Sequence, residues 1–467
     1  MNLGLTLDKL AEIIGAPPLS PDHGKIRFSS VSTDTRTIQP GEVFFALPGA
    51  RFDGNRFVGE AFQKGAAAAV CGCRVPDGPC LTVESPLEAL QKLAAWNRNR
   101  YPVTVIAITG SCGKTTTKNM LRCVLEGLGP VTATQGNLNN EIGCPLSLLE
   151  INADSRFAVI EMGANHMGEI RRLCEIASPD ESIVTLVAPA HLEGFGSIEN
   201  VARAKEEIRE GLRPGGVFYT SSDNPFCKAM ADRHRGEVIL FGTSPQANVR
   251  LRDAKRLPDG RLHAIIEPIG ELTLNLPVRA QLTSVLACAA VGLRHNVPDL
   301  PKRLEDASDR ADRMRIRHLG KLTVLDDTYN ANPASVMAAL DALMEIPVPG
   351  IRAAALGSMF ELGDEAPRLH RDIGALAARL GVRRLYALGP NAEDYAAGAR
   401  DAGMPSVVVC PDHEHMAEAV LNDTGDGDIL LVKGSRGTRM ERLITLLADH
   451  YGEISPDTSF KQHGGDR

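Results

Sequence analysis

The sequence lacks three features that would associate a protein with a membrane or a nucleic acid. It has no apolar run close to the roughly 20 residues that a helix needs to span a bilayer. Its first 15 residues lack the basic segment and apolar core of a signal peptide. It also lacks a basic excess, since 51 Lys and Arg are interspersed with 58 Asp and Glu for a net charge of −7. We therefore expect neither membrane insertion nor nucleic-acid binding.

The ten cysteines lack the spacing of a zinc site or of a disulfide scaffold. They are scattered between positions 71 and 410, with no C-x-x-C pair. A reducing cytoplasm is therefore the expected location. The chain has no sequence repeat or low-complexity tract, and its 467 residues exceed what one hydrophobic core usually holds. About three domains are expected from this length.

The most informative segment is VTVIAITGSCGKTTT, residues 103–117, where a strand-like apolar run turns into a helix through a glycine-rich loop. Its glycines let backbone N–H groups approach phosphate oxygens, while Lys114 can reach the terminal phosphates and Thr115 a bound magnesium. The helix N-terminus adds a favourable dipole. The usual pattern has four residues between its glycines, whereas this chain has two. The predicted nucleotide contacts are Thr109, Gly110, Ser111, Cys112, Gly113, Lys114, Thr115 and Thr116.

Alternating strand and helix patterns predict an α/β protein of three domains. Residues 1–101 mix short strand-like runs with an early helix, which indicates a small mixed α/β domain. Residues 102–309 contain continuous apolar runs, which indicate a mainly parallel, buried sheet in an ATP-binding domain. Within them, residues 246–277 alternate apolar and polar positions around a PDG turn, as in a small antiparallel appendage. Residues 310–467 predict a second, Rossmann-like unit, with a cleft between the two.

Polar residues that follow the apolar runs are candidates for chemistry, because ligands gather at the carboxyl ends of parallel strands. Glu161 follows FAVI and either binds the magnesium held by Thr115 or caps its loop. His191 follows SIVTLVAPA and is either a structural or a functional imidazole. Lys205 lies in the charge-rich segment NVARAKEEIREGL, a pattern that favours a solvated lysine.

Three further groups of side chains are suited to substrate binding. The amides of NLNNEIG, residues 137–143, suit carboxylates or peptide groups, although an ordinary turn is equally consistent with them. In DDTYNANP and KGSRG, the acid and asparagines can hold an amine or ribose, and the basic residues a carboxylate or phosphate. STDTR, residues 32–36, is either a phosphate site or a polar turn. The candidates are Thr35, Arg36, Asn137, Asn139, Asn140, Asp327, Asn330, Asn332, Lys433 and Arg436.

These segments together resemble the Mur ligase family over nearly the whole chain. The matching motifs, in the family's order, are TDTR, GEVFFALPGARFDGNRF, TGSCGKTTTK, GNLNNEIGCPLSLL, VIEMGANHMGEI, AHLEGFGSIENVARAKEEI, DDTYNANPAS, ELGDEAPRLHRDIG and LVKGSRGTRME. YNANP, NLNNEIG and HLEGFGS are particular to the branch that adds D-alanyl-D-alanine to UDP-N-acetylmuramoyl-tripeptide. The resemblance implies an N-terminal domain for the UDP-sugar, a central ATPase and a C-terminal Rossmann-like domain that closes over the site.

The resemblance also implies a reaction and the residues that carry it. ATP phosphorylates the free carboxylate of the tripeptide, and the amine of D-alanyl-D-alanine attacks the acyl phosphate, giving UDP-N-acetylmuramoyl-pentapeptide, ADP and phosphate. Thr115 and Glu161 would hold one magnesium, and His191 would help to hold a second. Lys205 matches a lysine that is carbamylated to support this second ion, and Lys114, Lys205 and His191 are the implied catalytic residues. The implied enzyme is a cytoplasmic monomer of peptidoglycan precursor synthesis.

The sequence departs from the family's pattern in three places. A His-Asn pair near the adenine is replaced by Ala280-Gln281, the GDM before ELG is GSM with Ser358, and the asparagine before the His191 motif is Leu186. Competing hypotheses are another ATP-dependent amide ligase, a nucleotide-binding regulator without turnover, and a small-molecule kinase. YNANP and NLNNEIG argue against the other ligases, and the intact metal and lysine positions argue against the regulator. The sequence does not distinguish meso-diaminopimelate from lysine as the third residue of the tripeptide.

Overall fold

Three main sheets, of four, nine and seven strands, follow one another along the chain in a computed structural model that describes residues 3–49, 53–73, 78–309, 314–451 and 453–454. A two-stranded ribbon precedes them. The predicted α/β class is confirmed. Within the described ranges, no helix is both long enough and apolar enough to cross a membrane.

The N-terminal part pairs an antiparallel ribbon, β1–β2, with a parallel sheet in chain order, β3–β6. Its strands are β1 (Leu5–Thr6), β2 (Arg27–Phe28), β3 (Val31–Ser32), β4 (Val43–Phe45), β5 (Ala68–Cys71) and β6 (Cys80–Thr82), and its helices are α1 (Leu7–Ile14), α2 (Pro21–Gly24), α3 (Val58–Gln63) and α4 (Pro86–Arg100). Local signals delimit α1: the Thr6 side chain accepts a hydrogen bond from the Lys9 N–H at 3.3 Å, and Gly15, with φ 76°, follows its last residue.

The central sheet has the strand order β15-β14-β13-β12-β11-β10-β7-β9-β8. Its strands are β7 (Thr104–Thr109), β8 (Val131–Ala133), β9 (Phe157–Glu161), β10 (Glu181–Val184), β11 (Val217–Ser221), β12 (Glu237–Gly242), β13 (Val249–Arg256), β14 (Leu262–Glu267) and β15 (Gly270–Leu274). Strands β7 to β13 are parallel to their neighbours in this group, whereas β14 and β15 are antiparallel. The antiparallel appendage predicted within residues 246–277 is confirmed, and it extends the edge of the parallel sheet.

Helices cover both faces of the central sheet. They are α5 (Lys114–Leu125), α6 (Gly143–Leu148), α7 (Glu169–Ala177), α8 (Leu192–Phe195), α9 (Ile198–Glu210), α10 (Pro225–Arg233), α11 (Leu282–Arg294) and α12 (Leu300–Ser308). Helices α5, α11 and α12 pack together over one hydrophobic cluster, and α6, α7 and α9 contribute to a second. Successive residues of β7 divide between the two clusters, as expected for a strand buried on both faces.

The C-terminal sheet has the strand order β20-β19-β18-β21-β17-β16-β22. Its strands are β16 (Arg315–Leu319), β17 (Leu322–Asp327), β18 (Arg352–Gly357), β19 (Arg384–Leu388), β20 (Ser406–Cys410), β21 (Ile429–Lys433) and β22 (Glu453–Ile454), and its helices are α13 (Pro333–Glu345), α14 (Ala366–Leu380), α15 (Ala392–Asp401), α16 (His413–Asp423) and α17 (Glu441–Tyr451). Five strands are parallel, and β16 and β22 are antiparallel. Hydrophobic clusters lie on both faces of this sheet, as predicted for a doubly wound unit.

One hydrophobic cluster joins the N-terminal and central parts. It includes Leu7 and Leu93 before Pro102, and Val105 and Ile160 after it, all fully buried. Helix α4 lies at the centre of this packing, because it contacts α1 on one side and α6 and α7 on the other. The sheets are therefore separate, but the core beneath them is continuous.

Candidate active site

The predicted glycine-rich loop connects β7 to α5, and we name residues 110–113 the phosphate loop. Gly110 has φ +148°, and a Cβ at this position would lie 2.0 Å from Thr185 Oγ1, so only glycine fits. The Thr185 hydroxyl donates to the Cys112 carbonyl at 2.6 Å. Ser111 Oγ donates to a backbone carbonyl in the segment after β10 at 2.8 Å. The loop is therefore fixed before any ligand binds.

The first residues of α5 bring a cation and a hydroxyl to this loop. Lys114 Nζ donates to the Gly110 carbonyl at 2.8 Å, so its side chain folds back across the loop. Thr115 Oγ1 lies 3.3 Å from Glu161 Oε1 at the end of β9. Since α5 has 12 residues, its N-terminus also provides a favourable field for anions. This arrangement can hold the phosphates of a nucleotide.

Glu161 is buried beneath the cleft, with 1% of its surface exposed. Its Oε1 atom accepts a hydrogen bond from Asn139 Nδ2 at 2.8 Å. Its Oε2 atom is buried and accepts no hydrogen bond, although Lys118 Nζ lies 3.9 Å away. Sequence reasoning missed Lys118, although the lysine at i+4 from Lys114 is a local signal for a second cation on the same helix face.

The environment of Glu161 suits a magnesium ion. A carboxylate oxygen that accepts no hydrogen bond, beside the hydroxyl of Thr115, provides the oxygen ligands that Mg²⁺ prefers. The described residues contain no group of three or more His, Cys, Asp or Glu that could hold a metal. Mg²⁺ usually binds through one or two carboxylates, with water and substrate phosphates completing its shell. The residues therefore fit a magnesium ion that arrives with a nucleotide.

Lys205, on α9, is almost completely buried, so the solvated position favoured by its charge-rich segment is wrong. Two other charges of this segment are buried with partners: Glu206 accepts hydrogen bonds from Arg233, and Glu207 accepts them from two N–H groups at the start of α7. The Lys205 ammonium lies 5.6 Å from the centre of the Phe195 ring and makes no ion pair with any described residue. Burial, reinforced by the charge of Lys114, lowers the pKa of Lys205 to about 7.

His191 is paired across the cleft with a residue of the C-terminal part. Its Nδ1 atom is hydrogen-bonded to Glu361, which follows β18, and the Glu193 N–H donates to the Glu361 carbonyl at 3.1 Å. This hydrogen bond to His191 lowers the pKa of the Glu361 carboxyl. Sequence reasoning missed Glu361 as a site residue. Its signal was its place at the start of the ELGDE segment after an apolar run.

On the C-terminal side, Asp327 ends β17 and Lys433 ends β21, and these neighbouring strands place the two side chains in contact. Lys433 is 2% exposed, and its Nζ donates to Asp327 Oδ2 at 2.5 Å and to the Asn330 carbonyl at 2.8 Å. Asn332 caps α13 by accepting from the Ser335 N–H at 2.9 Å. The backbone of the DDTYNANP turn is thus held by a buried ion pair and a helix cap.

A cleft of about 540 Å³ lies between the phosphate loop and this C-terminal group. Asn332 reaches across it, with its side chain 3.4 Å from Cys112 Sγ. The cleft brings together fifteen of the predicted site residues: Ser111, Cys112, Gly113, Lys114, Thr115, Thr116, Asn137, Asn139, Asn140, Glu161, His191, Asp327, Asn330, Asn332 and Lys433. Residues that end or follow six strands, β7, β8, β9, β10, β17 and β21, therefore converge on one space.

The remaining predicted residues do not line the cleft. Thr109 ends β7 and Gly110 follows it, Lys205 is buried on α9, and Arg436 is exposed and pairs with Glu441. The other two lie in the N-terminal part: the Thr35 carbonyl accepts from Lys64 Nζ at 2.8 Å, and the exposed Arg36 side chain pairs with Asp34. Their predicted role in UDP-sugar binding stays a prediction.

The three departures noted in the sequence have distinct environments. Ala280 and Gln281 both line the cleft, so they occupy its wall in place of the family's His-Asn pair. Leu186 supports the phosphate loop through its backbone, because its carbonyl accepts a hydrogen bond from the Ser111 N–H at 2.9 Å. Ser358 is buried and accepts from the Asn391 N–H at 3.0 Å. It therefore lies under the site rather than in it.

The central and C-terminal parts are also in contact at the far end of α13. Glu345, the last residue of this helix, lies between Arg256 and Arg279 of the central part, at 3.1 Å and 2.9 Å. A carboxylate is unfavourable at a helix C-terminus, and the two arginines offset this. Helix α13 is therefore held at both ends, by the Cys112 contact of Asn332 and by this arginine pair.

Similarity to known proteins extends over most of the chain. Three family models match in order: the Mur ligase family catalytic domain at residues 27–96, the Mur ligase middle domain at residues 108–292, and the Mur ligase glutamate ligase domain at residues 312–436. Among solved structures, MurF from Acinetobacter baumannii has a TM-score of 0.86 at 28% identity and covers 96% of this chain and 99% of that one. MurF from Thermotoga maritima in complex with ADP has a TM-score of 0.80 at 28% identity, covering 90% and 97%.

Curated relatives extend over nearly the full length. The UDP-N-acetylmuramoyl-tripeptide–D-alanyl-D-alanine ligase of Bacillus subtilis is 31% identical over 449 residues, which are 94% of this chain and 97% of that protein. The ligase of the same name from Mycobacterium tuberculosis is 33% identical over 510 aligned positions, covering 97% and 99%. With the phosphate loop, the carboxylate beside it and the facing C-terminal group in place, the chain belongs to the Mur ligase family.

Proposed function

We propose that this protein joins D-alanyl-D-alanine to UDP-N-acetylmuramoyl-tripeptide with consumption of ATP, in peptidoglycan precursor synthesis. The observation that carries the proposal is the single cleft in which the phosphate loop faces Asp327, Asn330 and Lys433, in a chain aligned over nearly its full length with ligases of that name. The enzyme is an ATP-dependent acid–amino-acid ligase.

Each part of the chain has a role in this proposal. Residues 1–101 bind the UDP-sugar, with Thr35 and Arg36 as contacts. Residues 102–309 bind ATP. Residues 310–467 close the cleft, and Asp327, Asn330 and Asn332 form the C-terminal side of the substrate site. Lys433 and Arg436 would bind carboxylate or phosphate groups. The protein would act as a cytoplasmic monomer.

The reaction proceeds by two displacements. A carboxylate oxygen of the tripeptide attacks the γ-phosphorus of ATP, so a P–O bond forms and ADP leaves. The amine of D-alanyl-D-alanine then attacks the acyl carbon, the new C–N bond forms, the nitrogen loses a proton, and phosphate leaves. The N–H groups of the phosphate loop and Lys114 orient the transferred phosphoryl group and stabilise the charge that develops on it.

Two magnesium ions would neutralise phosphate charge during the first displacement. Thr115 and Glu161 would hold one ion, for which their geometry is suited. His191 and carbamylated Lys205 would hold the second. A carbamate forms when a neutral amine adds to carbon dioxide and loses a proton, and the burial that lowers the pKa of Lys205 favours the neutral amine.

Carbamylation of Lys205 gives a specific expectation for pH and for substitution. Because the pKa of Lys205 is about 7, the amine is protonated below that pH and the carbamate should accumulate as the pH rises through 7. With ¹³C-bicarbonate, the wild-type protein should show a carbamate carbon resonance that Lys205→Met lacks. Ligation by Lys205→Met should fall about 100-fold, the upper range for losing a group that supports a metal site.

The matched control for Lys205 is Lys302→Met, which removes an exposed helical lysine and should keep both the resonance and the activity. A carbamate resonance that persists in Lys205→Met would assign the modification to another residue. Wild-type ligation rates in Lys205→Met would show that the reaction does not require this lysine.

The proposed function is tested by phosphate release from ATP and magnesium, with UDP-N-acetylmuramoyl-tripeptide and D-alanyl-D-alanine added singly and together. Release that requires both substrates, with a UDP-N-acetylmuramoyl-pentapeptide identified by mass, is the expected result. Tripeptides ending in meso-diaminopimelate and in lysine should be compared in parallel. Release without a dependence on the second substrate, or with phosphate left on an acceptor, would overturn the proposal.

A further inference from the structure

Lys118 is a buried lysine that the reaction described above does not use. It lies on α5, one turn beyond Lys114, and is 3% exposed. Removing an ammonium from water is unfavourable, so a lysine at this depth needs compensating partners. Its Nζ donates to the Thr134 carbonyl at 2.7 Å and to the Gly136 carbonyl at 3.3 Å. A third neighbour, Glu161 Oε2, lies 3.9 Å away.

These two carbonyls belong to the segment that carries the asparagine loop, which we define as residues 137–140. Thr134 follows β8, and its hydroxyl accepts from the Glu161 N–H at 3.0 Å. Gly136 leads directly into the loop. Further along, the Gly163 N–H donates to the Asn139 carbonyl at 2.8 Å. The asparagine loop is thus held to β9 by Asn139 and to the helix of the phosphate loop by Lys118.

Stability alone does not account for a buried cation here. A buried ion pair contributes little net stability, because desolvation of both charges offsets their attraction. At 3.9 Å the contact with Glu161 is also at the limit of an ion pair. What Lys118 does provide is a fixed distance between α5, which begins at Lys114, and the backbone that enters the asparagine loop.

We propose that Lys118 is a positioning residue that fixes the asparagine loop for the UDP-N-acetylmuramoyl-tripeptide, an inference that rests on the function proposed above. Asn137, Asn139 and Asn140 line the cleft, and their amides can bind peptide or carboxylate groups. Lys118 itself touches no substrate. It acts by holding the start of this loop at a constant position relative to the phosphate loop.

The test separates this role from a purely structural one. In Lys118→Met, amide hydrogen exchange in residues 134–143 should become about tenfold faster, while residues 198–210 keep their protection. The KM for UDP-N-acetylmuramoyl-tripeptide should rise about tenfold and the KM for ATP should stay within about twofold, because only the asparagine loop is displaced. Lys118→Arg keeps the charge and the donors. It should restore most of the wild-type protection and bring the KM for UDP-N-acetylmuramoyl-tripeptide close to the wild-type value.

Lys302→Met, on an exposed helical surface, is the matched control and should change neither measurement. If Lys118→Met does not fold, Lys118→Gln is the second variant, because it keeps a donor near Thr134 while removing the charge. It should likewise raise the KM for UDP-N-acetylmuramoyl-tripeptide while leaving the KM for ATP nearly unchanged. Unchanged exchange in a folded variant, or an equal rise of both KM values, would overturn the inference. A wild-type protein that makes no pentapeptide would overturn the proposed function instead, and the exchange comparison would still decide the role of Lys118.

Discussion

Replacing Lys114 by methionine should lower kcat/KM for ATP about 1,000-fold while leaving the fold intact, at the upper end of the effect of removing one preorganised donor from a reacting centre. Lys114 follows the phosphate loop at the start of α5, and in the proposed reaction both displacements develop charge on the phosphoryl group beside it. Among the residues that the structure describes, its one side-chain hydrogen bond is to the Gly110 carbonyl, at the wall of an open cleft. Losing that bond leaves no large unpaired group in a core, so stability should change little.

The measurement is ADP release in the presence of both substrates, together with a thermal unfolding curve. Lys228→Met, on the exposed surface of α10, is the matched control and should retain wild-type rates. A folded Lys114→Met protein that keeps activity within about tenfold of wild type would contradict the role assigned to this lysine.

The largest effect on stability is expected for Arg98→Ala, which should lower the free energy of unfolding by about 3–5 kcal/mol. Arg98 is 2% exposed, although it carries a full charge. Its Nε donates to the Ala177 carbonyl at 2.9 Å, and its Nη2 donates to the Ser178 carbonyl at 3.2 Å and to Asp180 Oδ2 at 2.8 Å. Alanine would leave the two carbonyls without this donor, remove the partner charge of Asp180 and open a cavity between α4 and α7.

The single tryptophan, Trp96, lies on the same helix and reports on this region. With a urea slope of about 2 kcal/mol/M, the midpoint followed by its fluorescence should fall by about 1.5 M or more in Arg98→Ala. Lys92→Ala, an exposed position on α4, should leave the midpoint unchanged. A midpoint that moves equally little in both variants would show that the carbonyls find other donors.

The parts of the site that depend on local sequence could be predicted. The phosphate loop is specified by a few consecutive residues, since Gly110 must avoid Thr185 and Lys114 must follow the loop at the start of a helix. Glu161 was found because strand ends in a parallel sheet share one edge. The antiparallel strands β13–β15 were visible as a change from continuous to alternating apolar positions.

Contacts between distant segments could not be predicted in the same way. Lys205 looked solvated because a charge-rich helix usually faces water, and its burial depends on α7, α10 and the sheet that pack around α9. The pairing of His191 with Glu361 spans 170 residues. Lys118 and Thr134 are closer in sequence, but their contact requires β8 to lie beside β9 at one edge of the sheet. Single-sequence patterns do not report which elements become neighbours.

The hydrophobic cluster shared by the N-terminal and central parts limits how domains could be exchanged between these enzymes. A cut at Pro102 would leave α4 with one fragment and its partners α6 and α7 with the other, exposing apolar surface on both pieces and inviting aggregation. A cut before Pro86 would instead separate α4 from α1. Modular exchange among such ligases would therefore have to transfer the N-terminal and central parts together, as one unit.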